Sequence, residues 1–376
     1  MTTGIERPST DLLYSEQEEF LRETVRDVLN KACDWTSVLA LTESESAIDR
    51  SLWRTLAAEV GGAALALPED IGGAGASWRE TAVVLEELGR SIAPVPYLGS
   101  SVIATVYAQE IGAGDLLAGL AAGETIAAVA VSAGSPWFRS LPQVVTASDS
   151  TLTGTVSTVA DAAAADTLLV PVGEDTYLVD PAAAGVRCTQ VVSLDETRPL
   201  VDIEFSAAPA QRLEGTQSAG AATAAALRAG TALLASEQLG LAEHCLTATV
   251  EYLGVRRQFG RALGSYQALK HRLADLWVQI NQARAAARYA ADCLAAGSDD
   301  LAVAAAVAHS WCSEVAVHAA EEYVQLHGGI GFTWEHPAHL YLKRAKSSTL
   351  MFGGPDIHRT HLAGLVNLPL PTLENI

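Results

Sequence analysis

Apolar residues recur at helical spacing from about residue 10 to 123. Ser15 and Glu18 stand at capping-box distance, and Leu21, Val25, Val28 and Leu29 follow at i, i+4, i+7 and i+8, which predicts one buried helix face. The pattern predicts a second helix over Ser51–Val60. The turn-rich stretch Leu67-Pro68-Glu69-Asp70-Ile71-Gly72-Gly73-Ala74-Gly75 comes next, then a third helix over Arg79–Leu88 that stops at Gly89 as its C′ residue. From about 124 the period changes. Ile126–Val131, Thr167–Val172, Thr176–Val179 and Leu200–Phe205 are short β-branched runs divided by Gly, Pro, Asp and Ser, as in a compact antiparallel β-domain. Helical spacing returns near 216, with Leu269, Leu273, Leu276 and Ile280 on one face and Val307, Trp311 and Val315 on another. Helices, strands, then helices predict an α+β chain: an N-terminal helical domain over 1–123, a middle antiparallel β-domain over 124–215 and a C-terminal helical bundle over 216–376.

Charge narrows the function classes. The chain has 24 Lys+Arg against 44 Asp+Glu, a formal −20, a balance that argues against a general binder of nucleic acid or anionic membrane, either of which needs a basic face. At 49% hydrophobic and 18% charged residues it falls outside the disordered class. Arg228, Glu237, His309 and Glu314 interrupt the Ala-rich stretches, so no membrane span is expected. Met1 to Leu12 carry Glu6, Arg7 and Asp11 and form no apolar leader. Cys33, Cys188, Cys245, Cys293 and Cys312 are dispersed and contain no CxxC pair, which fits buried free thiols in the cytoplasm and no metal site.

Two segments carry candidate chemistry. In Val255-Arg256-Arg257-Gln258-Phe259-Gly260-Arg261-Ala262-Leu263-Gly264-Ser265-Tyr266-Gln267, two glycines break a helix and Ser265 is placed to cap the next one. Arg256, Arg257, Arg261, Lys270 and Arg272 crowd this corner of an acidic chain. Guanidinium groups beside a fresh helix N-terminus suit a diphosphate, and the same residues also suit a solvated interhelical corner. In Gln325-Leu326-His327-Gly328-Gly329-Ile330-Gly331-Phe332, three glycines end a helix and let backbone approach a ligand, or serve only as a C-cap. No strand precedes them, so this is not a dinucleotide-fold fingerprint.

Taken together, these motifs resemble the acyl-CoA dehydrogenases. Arg256-x-x-Phe259-Gly260 with Gln267, and Gln325-x-x-Gly328-Gly329-x-Gly331-Phe332-x-x-Glu335, are similar to that family's two C-terminal signatures. Pro68-Glu69-Asp70-x-Gly72-Gly73-x-Gly75 and Leu85-Glu86-Glu87-Leu88-Gly89 resemble its N-terminal one. The resemblance implies an N-terminal helical domain, a middle β-domain, a C-terminal four-helix bundle, and FAD bound where one subunit's bundle meets a neighbour's β-domain. It also implies α,β-desaturation of an acyl-CoA thioester by a carboxylate base, with electrons passed on to an electron-transfer acceptor.

The resemblance fails where that chemistry resides. The two positions at which family members carry the base fall on Phe352, in Phe352-Gly353-Gly354, and on Gly230. The flavin-contacting stretch falls on Val131-Ser132-Ala133-Gly134-Ser135-Pro136-Trp137, where little of the family's Thr-Glu-Pro and Gly-Ser-Asp pattern survives. Thr155-Val156-Ser157-Thr158-Val159 replaces the strand that packs on the ring. The residues offered to a neighbour's FAD remain: Arg256, Phe259, Gln267, Gln325, Gly328 and Gly329. This pattern resembles the non-catalytic chain of actinobacterial α2β2 acyl-CoA dehydrogenases of sterol side chains. It implies a second, catalytic chain of the same family that binds most of the substrate. A self-sufficient flavoenzyme with an unconventional base and a flavin-free scaffold protein are the competing expectations.

Overall fold

A computed structural model describes residues 11–44, 46 and 48–369. The stretch Met1 to Thr10, with Glu6 and Arg7, lies outside the described residues. Six helices come first: α1 (Glu16–Ala32), α2 (Trp35–Thr42), α3 (Arg50–Arg54), α4 (Trp78–Ser91), α5 (Thr105–Ile111) and α6 (Gly114–Ala121), with a π-helical segment over Tyr97–Ala104. Ser15 accepts from the Glu18 N–H, and the Glu18 carboxylate accepts from Ser15, so the capping box starts α1. Val25 and Leu29 are buried from the same face.

Gly89 does not end α4, which runs on to Ser91 and closes with Ile92 in the left-handed region. A Cβ at Gly89 would lie 1.9 Å from the Glu237 carbonyl oxygen, and one at Gly240 would lie 1.8 Å from that of Glu86. The pair lets α4 and the helix it crosses touch backbone to backbone; close approach, not capping, is the reason for glycine at 89.

The middle of the chain forms two four-stranded sheets. Its strands are β1 (Ala127–Val129), β2 (Val145–Ser148), β3 (Thr151–Ala160), β4 (Thr167–Val172), β5 (Asp175–Val179), β6 (Val186–Gln190), β7 (Leu200–Pro209) and β8 (Gln211–Leu213). They are ordered β1-β4-β5-β8 and β2-β3-β7-β6. The purely antiparallel expectation is corrected at one place: β1 pairs with β4 in parallel, Ala127 opposite Thr167. Strand β3 pairs with β7, Val156 opposite Ile203 and Val159 opposite Val201, and their inward side chains join Leu168 and Phe205 in a second core.

The C-terminal part consists of α7 (Ala219–Val255), a hairpin of β9 (Arg257–Gln258) and β10 (Arg261–Ala262), then α8 (Gln267–Ala295), α9 (Leu301–His327), α10 (Ala338–Leu350) and α11 (Pro355–Leu365). The N-terminal helices and this bundle share one continuous core. Two local expectations change. Ser265 does not cap α8, since its hydroxyl donates to the Ala262 carbonyl and Tyr266 holds the cap position. Val307 is exposed while Val315 is buried, because α9 turns its Ala304, Ala308 and Cys312 side inward. Four cysteines are buried; Cys188, on edge strand β6, is exposed. Among the described residues no helix is long and apolar enough to cross a membrane.

A buried ionic cluster pins the β6–β7 connection to the bundle. The Arg344 guanidinium of α10 donates to Glu237 of α7 at 2.9 Å and to Thr197 at 2.8 Å, and pairs with Asp195 at 3.4 Å. Arg198 pairs with the other Glu237 oxygen. Burial alone raises the Glu237 carboxyl, but the Arg198 and Arg344 charges outweigh it and hold the group below the usual carboxylate range.

Candidate functional site

The residues singled out by sequence fall into two places, one on the surface and one inside. At one end of the bundle the termini of α7, α8 and α9 come together. Tyr252, on the last turn of α7, stacks on His327 at the end of α9 with ring centroids 4.2 Å apart. Arg272, early in α8, pairs with Glu322 of α9 at 2.6 Å. These contacts gather Arg256, Phe259, Gln267, Gln325, Gly328 and Gly329 at that end, all six exposed.

Each element positions its residue for a local reason. Arg256 is the C-cap of α7, its N–H bonded to the Tyr252 carbonyl, where the helix dipole favours a cation. Its side chain makes no ion pair among the described residues. The β9–β10 hairpin turns at Phe259, whose φ of +51° is strained for a non-glycine and whose ring is 90% exposed. Helix α8 starts at Gln267 with no side-chain cap, so its first amides lack that partner. A Cβ at Gly328 or Gly329 would meet nothing within 4 Å, whereas one at Gly331 would lie 2.4 Å from the Val324 carbonyl oxygen. Two of the three glycines therefore leave backbone open to a ligand, and the third serves packing. An unpaired guanidinium, uncapped amides and open glycine backbone fit the diphosphate end of a dinucleotide.

The interior place brings Phe352 and Gly230 together. A Cβ on Gly230 would lie 3.0 Å from the Phe352 ring and 3.1 Å from Ile103. The ring is 1% exposed and fills the space that a side chain from either position would enter. The corner that presents it is held from three sides. The Phe352 N–H donates to the Ala133 carbonyl at 2.7 Å, His358 Nε2 donates to the Phe352 carbonyl at 2.9 Å, and His309 Nε2 donates to the Gly353 carbonyl at 2.9 Å. Phe352 has φ +57° and Gly353 φ +90°, so a strained corner stays in place around an apolar side chain. Next to it, the loop after β1 packs on α11: Phe138 stacks on His361 at 3.8 Å, and Trp137 meets both rings edge-on. A cleft of about 720 Å³ runs from this loop to the start of α7, lined by Ser132, Trp137, Arg139, Thr223, Leu227 and Glu174. Glu174 is the one lining carboxylate among the described residues, at the Gly220 end. Ten residues of α7, about 15 Å, separate that end from Gly230.

The sequence reading missed His309 and His358. Each uses Nε2–H as a donor, so each is neutral with a bare Nδ1. Burial, then the neighbouring His358 ring 4.5 Å away, pushes His309 down to about 3, and burial lowers His358 as well. Because the folded pKa lies below the unfolded one, their contribution is present above pH 6.5 and is lost as pH falls. Stability should decline by up to about 1.4 kcal/mol per pH unit for each histidine. Urea midpoints at pH 7.5, 6 and 5 should diverge less for His309→Gln than for the parent, and parallel profiles would contradict a buried neutral pair.

Comparison with known proteins adds relatives to this geometry. Residues 15–124 match the family described as acyl-CoA dehydrogenase, N-terminal domain, and residues 220–365 match acyl-CoA dehydrogenase, C-terminal domain. The acyl-CoA dehydrogenase IpdE2 of Mycolicibacterium smegmatis is 38% identical over 91% of this chain and 96% of its own length. FadE27 of Mycobacterium tuberculosis is 31% identical over 92% and 95%. Among solved structures, a variant of the Tcur3481–Tcur3483 steroid acyl-CoA dehydrogenase is 31% identical with a TM-score of 0.82, covering 94% of this chain and 98% of its own. The ChsE4–ChsE5 complex from Mycobacterium tuberculosis is 28% identical with a TM-score of 0.84, covering 96% and 100%.

Proposed function

Since the chain belongs to the acyl-CoA dehydrogenase family, we propose that it is the flavin-completing, base-less subunit of a hetero-oligomeric acyl-CoA dehydrogenase for CoA thioesters of steroid breakdown. Its partner is a second chain of the family that supplies the base and binds most of the substrate, in an α2β2 assembly in the cytoplasm. The observation that carries this reading is the Phe352 ring seated against Gly230, which leaves both base positions without a proton acceptor. Two further features support it: solved relatives that are complexes of two named chains, and the gathering of Arg256, Gln267, Gln325, Gly328 and Gly329 on an exposed face.

FAD, when bound, accepts the hydride in α,β-desaturation of the thioester. In this reading the residues of this chain hold and neutralise. Arg256 places a fixed positive charge on the diphosphate, Gly328 and Gly329 offer backbone amides, and Phe259 and Gln267 flank the same turn. Phe352 moves no proton and excludes water from the interior corner.

The test is flavin retention. The lone chain should be colourless or lose flavin on a sizing column, and a mixed tetramer with its catalytic partner should be yellow. In that complex Arg256→Ala should weaken FAD binding by about 1.5–3 kcal/mol, the range of a hydrogen bond to a charged group. A mutant complex with parental flavin affinity, or a yellow homo-oligomer that turns over alone, would overturn the assignment.

A further inference from the structure

The cleft between the loop after β1 and the start of α7 has a chemistry that neither the Arg256 face nor the Phe352 corner uses. Its volume of about 720 Å³ lies in the range of small-molecule sites. Trp137 and Leu141 of the loop and Leu227 of α7 give it apolar walls, and Thr155 and Ser157 line it from β3 as exposed hydroxyl residues. Arg139 lines it from the same loop as Trp137, and the Arg228 guanidinium lies 5.7 Å from the centre of the Trp137 ring. Neither arginine forms an ion pair among the described residues. Arg228 is half-buried, and its Nε is shut off from solvent without a hydrogen-bond acceptor. A guanidinium partly withdrawn from water and left unpaired is costly, and an anion relieves that cost.

The opposite end of the cleft carries the opposite charge. Glu174 stands at the Gly220 end, eight residues of α7 or about 12 Å from Arg228. Two unpaired arginines at one end of a largely apolar cleft suit a single anionic group on an apolar body. Glu174 disfavours a second anion at the far end, such as the other group of a dicarboxylate. A thioester in place of the carboxylate would leave both guanidiniums without a counter-charge. We propose that this cleft binds an apolar monocarboxylic acid, with the carboxylate at the Arg139 and Arg228 end and the body against Trp137 and Leu227. The stretch that faces the flavin ring in the family thus supplies, in this chain, the wall of a site with different chemistry. The cleft lies within this chain, so the site goes beyond the subunit assignment and needs no partner to complete it.

The experiment is calorimetric titration of the full chain with cholate, a rigid polycyclic monocarboxylate used below its micellar concentration, and with methyl cholate, whose ester carries no charge. The parent is compared with a chain carrying both Arg139→Gln and Arg228→Gln and with Ser157→Trp, which puts an indole into the cleft from an exposed strand position. Circular dichroism confirms that the variants fold. The parent should bind cholate saturably and the ester about tenfold or more weakly, the size of a charge-assisted contact. The double variant should lose about the same factor for cholate and nothing for the ester, and Ser157→Trp should bind neither. No saturable binding by the parent, equal affinity for acid and ester, or parental cholate binding by Ser157→Trp would each overturn the site and leave the proposed function standing. Titration with FAD separates the remaining case. If the lone parent chain retains FAD and Ser157→Trp releases it, the cleft is a flavin site, and the acid site and the proposed function fall together.

Discussion

Replacing Glu237 with glutamine is expected to lower the free energy of unfolding by about 3–5 kcal/mol, the loss typical of breaking a buried ion pair from one side. Glu237 is 2% exposed and sits between two guanidiniums, those of Arg198 and Arg344, themselves 3% and 1% exposed. Removing its charge leaves those two cations with Asp195 and the more distant Asp161 in a medium that screens poorly. Glutamine keeps the size and one acceptor, so packing changes little and the measured loss reports charge. The cluster joins α7, α10 and the connection before β7, so the effect should appear as a shift in urea midpoint across the whole transition. Lys346→Ala breaks an exposed pair with Glu321 and should leave the midpoint nearly unchanged. A Glu237→Gln midpoint as insensitive as that one would mean the cluster contributes nothing net.

How far the sequence discloses this molecule depends on whether the governing contact is local. Ser15 and Glu18, and the Leu276 and Ile280 face of α8, are set by neighbours within two turns, and the sequence pattern predicts them. Gly89 reads as a helix stop because its true reason, the Glu237 backbone 1.9 Å from its missing Cβ, lies almost 150 positions away. The parallel β1–β4 pair joins positions forty apart and leaves no mark in either run of side chains. The candidate site divides the same way. Family motifs place Arg256 and Gly328, but that their turns share one bundle end depends on Tyr252 stacking on His327. His309 and His358 look like ordinary helix residues until the carbonyls they hold come into view. Glu237 did carry a signal: a lone carboxylate within the apolar run Thr231–Leu241 implies a buried partner.

Phe352→Ala separates the structural from the chemical role of the interior corner. Deleting a ring that is 1% exposed and would lie 3.0 Å from a Cβ on Gly230 leaves a cavity, and should cost this chain about 3–5 kcal/mol of stability. Turnover per assembled flavin should nonetheless stay near the parental rate, because the phenyl group can neither accept nor donate a proton. Phe352→Leu keeps most of the volume and should cost under about 1.5 kcal/mol, so the rate can be read even if the alanine variant unfolds. If either variant lost turnover by the 10²–10⁴-fold typical of removing a general acid or base, at unchanged assembly and flavin content, this corner would be part of a working active site. The physical case against that outcome is that the corner keeps its strained backbone and both histidine donors while the ring occupies the space a base would enter. The alanine cavity would be apolar, walled by Ile103 and the α7 backbone at Gly230, and so offers water no partner with which to act in place of a base.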